Sequence, residues 1–451
     1  MKATTCLLAL AALGVWACDF NITDPNSPGP IGTDPSRADV ADHVIGVILA
    51  ARSDAADWNL DAGILGREAY RFDGSDPRFI SEFLNGPLDP GGGAFGGDHW
   101  IEEYNAILSA NQLLDVIGTA TRLTAAEQNG TRGVVETLKA YEFVMVLMGH
   151  AEDSIPVDVD LPIGAPPAPL VSNDSAFTFV SSLLDAADAH LAAGGTALPF
   201  ALPAGFTGFA DVAGYRKFNR ALKAAVEVYR GSLGCGAPCY TTAKGLLESG
   251  ATFIDTSATA NLAAGVYFDY STNPGDAPNP LFQNPQTGEN FVNPRIKDSA
   301  ETKPTTGLDD RFTSKTVPRP ITTTENLTSD VGWIRYPATT AQIPFIKNEK
   351  LILLRAEANN ALALPVLAAN DVNYIRVTSG GLAPIAGLAA QTQAQILGAI
   401  LHERMYSLLY EGHRWFDLRR TGRLGPYLKD RATDAVFPTL PIPLDEVLAR
   451  K

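Results

Sequence analysis

Apolar side chains recur at intervals of three and four residues through most of this 451-residue chain, and that spacing constrains its fold more than any other feature. A stripe of this period is buried only when the backbone is helical and the stripe meets a second one. Helices are therefore expected from about Ser36 to Ala56, with Val40, Val44, Val47 and Ile48 on one face, and from His99 to Ile117, with Ile101, Tyr104, Ile107, Leu108 and Leu114. Further candidates run from Thr131 to Met148, Ala176 to Leu191, Tyr215 to Arg230, Tyr240 to Glu248, Pro344 to Leu364 and Thr392 to Tyr410. Proline and glycine break them, as in Leu161-Pro162-Ile163-Gly164. Paired helices of this length stack as tetratricopeptide-like hairpins, each burying its stripe on the next. The expected fold is all-α, with an N-terminal helical part over 36–249 and a C-terminal one over 344–451. Between them, 250–343 is rich in Asn, Pro, Thr and Gly and reads as a long, irregular, loop-rich insertion.

The N-terminus carries an address. One cation, Lys2, precedes an apolar run from Cys6 to Leu13, the layout of a secretory signal over 1–17. The run is far shorter than the roughly 20 residues that span a bilayer as a helix. Val15-Trp16-Ala17-Cys18 is similar to the lipobox of bacterial lipoproteins, which makes Cys18 the expected site of lipidation. Two or three acyl chains anchor a soluble domain firmly, since each buried methylene contributes about 0.8 kcal/mol. The bland reading is an ordinary secreted protein that happens to hold a cysteine there. Residues 18–35 carry Asn, Asp, Ser and Pro and read as a flexible tether.

The formal charge of −15 comes from scattered acidic residues. It disfavours nucleic acid and anionic membrane surfaces as partners, because both repel such a chain at long range. Contact with a membrane is expected through the lipid anchor only. Beyond the leader, Cys235 and Cys239 stand in Gly234-Cys235-Gly236-Ala237-Pro238-Cys239, where an oxidising compartment and a turning spacer favour a local disulfide. A metal site would want two more Cys or His nearby, and a redox-active pair usually has two intervening residues where this one has three.

The most specific signal lies near the end. Glu403-Arg404, then Leu408, Glu411-Gly412, Arg414 and Asp417-Leu418-Arg419-Arg420 resemble the signature of the SusD/RagB family of nutrient-binding outer-membrane lipoproteins. Ala356-Glu357-Ala358, Asn373-Tyr374-Ile375-Arg376, Asp310-Arg311-Phe312 and Pro441-Ile442-Pro443 with Glu446 are similar to other family segments and fall in the family's order. The resemblance implies a SusD-like helical fold and no enzymatic activity. It also implies capture of a nutrient at the cell surface and delivery to a SusC-like, TonB-dependent outer-membrane transporter, to which the lipoprotein forms a lid. Asp19, next to Cys18, matches an inner-membrane retention rule of some bacteria, so surface display stands on the resemblance alone.

Read from the residues, the signature is structural. Arg404 falls inside the apolar stripe of Leu397, Ile400, Leu401, Met405 and Leu408, so its guanidinium needs a buried partner, for which Glu411 or Glu357 is expected. Arg414, Asp417 and Arg420 follow at intervals of three, which sets opposite charges side by side on a helix. Gly412 marks a bend or a close contact. The opposing reading, a metal or acid/base cluster of His402, Glu403, Glu411 and His413, lacks the i, i+4 histidine pair of a helical zinc site. No metal and no cofactor are expected.

A capture protein needs aromatic platforms and hydrogen-bonding side chains on loops held by a rigid scaffold. Two segments supply both. The first gives Tyr70, Phe72, Asp73 and Arg78; the second gives Tyr267, Tyr270, Trp333, Arg335 and Tyr336. An oligosaccharide is the expected ligand class. Two other functions compete. A secreted glycoside hydrolase needs two placed carboxylates, which spacing does not exclude, although no nucleophile or metal motif is present. A helical scaffold serving only protein contacts needs no ligand site at all.

Overall fold

The computed structural model describes residues 31–91, 97–150, 154–162 and 164–451; the leader, Cys18 and the tether up to residue 30 lie outside the described residues. Side-chain caps set the first boundary. Helix α1 (Arg37–Ser53) follows Ser36, whose hydroxyl accepts from the Asp39 amide while the Asp39 carboxylate accepts from the Ser36 amide. It stops at Asp54, and a second helix, α2 (Ala55–Leu65), begins at once. All but one residue of α2, Asp57, is buried, so it shows no stripe and extends well beyond the expected end at Ala56.

Helices α3 (Asp98–Ile117), α4 (Ala125–His150), α5 (Asn173–Ala192), α6 (Val212–Arg230) and α7 (Ala237–Glu248) then pack neighbour upon neighbour in chain order. Gly133 lets α4 and α5 approach closely, since a Cβ there would lie 2.6 Å from the Ala187 carbonyl oxygen and 2.6 Å from Leu191 Cγ. Cys235 and Cys239, joined as a disulfide with Cα atoms 5.9 Å apart, clip the turn between α6 and α7. The stack continues across the long insertion: α8 (Asn348–Ala361) lies on α7 and also on α9 (Pro365–Thr378) and α10 (Gln393–Ser407). A last long-range contact sets α11 (Arg414–Arg420) against α2. The architecture is all-α and tetratricopeptide-like, with only small sheets. No described helix is long and apolar enough to cross a membrane.

The insertion holds more regular structure than its composition suggests. Strand β1 (Ala69–Arg71) leaves α2 and pairs with β2 (Asn290–Val292), which pairs with β4 (Leu327–Trp333), which pairs with β3 (Thr316–Thr324), all antiparallel. Tyr70 faces Phe291, and Phe291 faces Gly332. Gly265–Phe268 pairs separately with Ile343–Lys347, so the first residues of the helix expected at Pro344 are strand instead. The sheet fastens the chain after α2 to the middle of the sequence.

Candidate ligand-binding site

The signature charges are internal wiring. Arg404 Nε donates to Asp417 Oδ2 at 2.7 Å and a terminal nitrogen donates to Oδ1 at 3.0 Å. Arg420 shares that carboxylate at 2.8 Å and also donates to Glu357 at 2.8 Å. Glu403 takes Arg376 at 2.6 Å and Arg311 at 2.7 Å; Glu411 takes Lys347 at 2.7 Å and Arg335 at 2.9 Å. Arg414 donates to the Gly66 carbonyl at 2.9 Å, joining α11 to the end of α2. Burial pulls the Asp417 carboxyl up, yet Arg404 and Arg420 overcome it and hold it below the usual range. Burial likewise opposes Glu411, and Lys347, Arg335 and Lys315 bring it down to about 2.

One expectation needs correcting: the partner of Arg404 is Asp417, not Glu411 or Glu357. Helix α10 ends at Ser407, the chain reverses through Tyr410 (φ 62°) and Gly412 (φ 71°), and α11 carries Asp417 back onto Arg404. Gly412 cannot be replaced without a clash, because a Cβ there would lie 2.4 Å from Trp58 Nε1.

Most of the aromatic candidates also turn out to be scaffold. Tyr70 stacks on Phe72, and Phe72 packs on Phe291 with centroids 4.7 Å apart. Trp333 lies face to face with Tyr410 at 4.2 Å. Tyr336 donates its hydroxyl hydrogen to the Tyr410 carbonyl and accepts from Asn59. Tyr270 is buried beneath the Arg52 guanidinium. The faces of these five rings are used by the protein, because the strands and the segments beside them cover helices and need the same residue types that a sugar platform needs. Asp73 is a loop organiser, accepting from the Ser75 hydroxyl, from Arg71 and from the Ser75 and Asp76 amides, and these contacts hold its carboxyl far below the ordinary range.

Asp73 and Arg78 nevertheless border a cleft of about 450 Å³ where α2, the loop after β1 and the start of α3 meet. Asp57, Asp61, Arg71, Phe79 and His99 complete the part that matters chemically. Arg71 lies over the Phe79 ring with its guanidinium carbon 4.6 Å from the centroid. Exposed Arg78 pairs with Asp76 at 2.7 Å. In the floor, His99 Nδ1 lies 2.8 Å from Asp54 and Nε2 lies 3.0 Å from Asp61. Burial disfavours a charged His99, but Asp54 and Asp61 hold its proton well above the usual range. Burial lifts Asp61 to about 6 against the pull of His99. Carboxylates accept from hydroxyls, guanidinium groups donate, and a ring beside them offers an apolar surface, which together suit a polyhydroxylated molecule. Sequence reasoning missed Asp57, Asp61 and His99, and the burial of α2 on nearly every side left no pattern by which to find the first two.

Tyr267 and Arg335 line a different cleft, of about 530 Å³, with Lys315, Gln342 and Lys347. Burial, with Lys347 beside it, brings Lys315 down to about 7. The nine candidate residues are thus divided between two clefts and the core. Of the four residues weighed as a metal or acid/base cluster, His402 and Glu403 come together with Glu301, whose carboxylate and that of Glu403 pair with Arg376, while Glu411 pairs with Lys347 and Arg335.

Residues 338–430 match a family model described as the SusD family. Similar solved structures cover nearly the whole chain. A SusD superfamily protein from Bacteroides vulgatus superposes with a TM-score of 0.69 at 16% identity, over 92% of this chain and 97% of its own. A SusD-like carbohydrate-binding protein from Bacteroides fragilis gives 0.70 at 16% identity, over 91% and 98%. A laminarin-binding SusD-like protein gives 0.62 at 16% identity, over 91% and 97%. No curated protein matches the chain.

Proposed function

We propose that this chain, which matches the SusD family model over residues 338–430 and shares the fold of SusD-like proteins, captures a nutrient glycan outside the cell and passes it, unaltered, to a SusC-like TonB-dependent transporter in the outer membrane. The observation that carries this reading is the cleft of Asp57, Asp61, Arg71, Asp73, Arg78 and Phe79 on a rigid helical stack. Its mixture of carboxylates, guanidinium groups and an aromatic ring fits sugar hydroxyls and ring C–H faces. Glycan binding by structurally similar proteins, laminarin in one case, supports the ligand class. A lipid at Cys18 and the tether after it would keep the cleft at the outer membrane.

Calorimetry of the soluble chain against laminarin, other oligosaccharides and short peptides tests the proposal. An oligosaccharide is expected to bind without release of reducing ends. Arg71→Ala and Phe79→Ala should each weaken it from a few-fold to about tenfold, the scale of one aromatic contact of about 0.5–1.5 kcal/mol. Their helical circular dichroism should stay unchanged. Cleavage of the glycan would transfer the reading to a hydrolase. Unchanged affinity in both variants would move the site to the cleft of Tyr267, Lys315 and Arg335.

A further inference from the structure

Beneath the floor of the first cleft lies a cluster that, apart from Asp61 at its edge, glycan capture does not use. Asp54, Asp61, Glu103 and Glu142 are each less than a tenth exposed, and the first three gather about His99, which is 1% exposed. Among the described residues, none of the four carboxylates forms an ion pair with a lysine or arginine, in contrast to the signature network, where every carboxylate has one or two. His99 is the one cationic partner beside Asp54 and Asp61, and four acidic groups removed from water around a single imidazole are costly to hold. Two of their oxygens, Glu103 Oε2 and Glu142 Oε1, have no hydrogen-bond partner. Glu142 stands outside the group that touches His99, yet lies within electrostatic reach of both Asp54 and Glu103.

We propose that Asp54, His99 and Glu103 bind a first-row divalent cation, Zn²⁺ or Mn²⁺, with Glu142 as a further carboxylate donor or counter-charge. One ligand atom from each of the three residues lies within 4.8 Å of the other two. Metal–ligand bonds of about 2.0–2.2 Å place ligand atoms up to about 4.4 Å apart, so a contraction of a few tenths of an ångström closes the site. With His99 Nδ1 on the ion, Nε2–H is left to donate to Asp61, 3.0 Å away, and a carboxylate behind a ligating histidine is the usual device that fixes its ring and tautomer. An imidazole among carboxylates suits zinc or manganese, whereas calcium takes six to eight oxygens. Two anionic ligands balance a divalent charge, and the orphaned Glu103 and Glu142 oxygens gain a partner. His99 and Asp61 border the open cleft, which gives an ion a way in.

The test uses the whole soluble chain, stripped with EDTA and dialysed. Zn²⁺ or Mn²⁺ should bind with one equivalent per chain by calorimetry and raise the melting temperature by about 3–5 °C at saturating ion. Asp61→Asn, which alters the carboxylate behind His99 and none of the proposed ligands, should weaken the ion by about 10–100-fold, and Glu103→Gln by at least as much. Metal analysis of protein purified without chelator should find a substoichiometric to full complement of one such ion. No retained metal together with unchanged melting in both ions would overturn the proposal and leave the carboxylates holding protons. Calcium binding alone, or zinc binding unaffected by Asp61→Asn, would overturn the ligand set. Should Glu103→Gln fail to fold, the wild-type titration and Asp61→Asn decide the matter.

Discussion

Asp417 receives two arginines that come from different places in the fold, Arg404 on α10 and Arg420 on its own helix, and Arg420 reaches on to Glu357 on α8. Removing one partner of a buried pair leaves the other charge without water or counter-ion, at a cost of about 3–5 kcal/mol. Arg404→Ala is therefore expected to lower the melting temperature by many degrees while leaving glycan affinity of the folded fraction intact. A variant that melts like wild type would refute the structural role. Glu411 ties stability to pH in a definite direction. Its folded carboxyl sits at about 2, below the unfolded value near 4.5, so its contribution is fully present above about pH 4.5 and is lost as pH falls toward 2. The span corresponds to roughly 3 kcal/mol. Glu411→Gln should be destabilised at pH 7 and should show a shallower loss between pH 4.5 and 2.5 in denaturant titrations. That these charges are structural was legible in the sequence, because Arg404 sits in an apolar stripe. Their pairing was not, because it depends on a chain reversal at Tyr410 and Gly412 that helical periodicity does not announce.

At the scale of elements, legibility followed amphipathicity. α3, α5 and α6 each present an apolar face and a wet one, and their spans match the periodic windows to within a few residues. α2 has only Asp57 outside the core and so shows no stripe, while the short strand after it pairs with the insertion across more than 200 residues, as Tyr70 with Phe291 does. The same strands explain why the aromatic candidates misled: a ring covering a helix and a ring stacking on a sugar look alike in sequence. Helix contact gives a further expectation. Alanine is a better helix former than glycine by about 1 kcal/mol, but at Gly133 the added methyl meets backbone of α5. Gly133→Ala should therefore destabilise by about 1–3 kcal/mol, the usual penalty of overpacking. Thermal melts that showed stabilisation would mean that α4 and α5 part at no cost.

For the whole molecule, we propose that a lipid at Cys18 decides where the cleft operates. Cys18→Ala is expected to release the protein into the soluble fraction and to abolish labelling by a fatty-acid probe; labelling that persists would sink the anchor. The burial of α2 has another consequence, which concerns time. Its Asn59 meets Tyr336, its Gly63 lies against Tyr410, and Trp58 packs near Trp415. A helix made early in the chain, although it meets His99 at once, thus waits for residues near the far end before its burial is complete. As the polypeptide emerges, the helices from α3 onward can stack as they arrive, and the cleft residues, all between Asp57 and His99, are present early, but the α2 floor beneath them is not locked until almost the last residue has emerged. A chain interrupted before its closing segment would carry every residue of the cleft but not the contacts that fix α2 beneath it, so an incomplete copy presents the cleft on an unsecured helix.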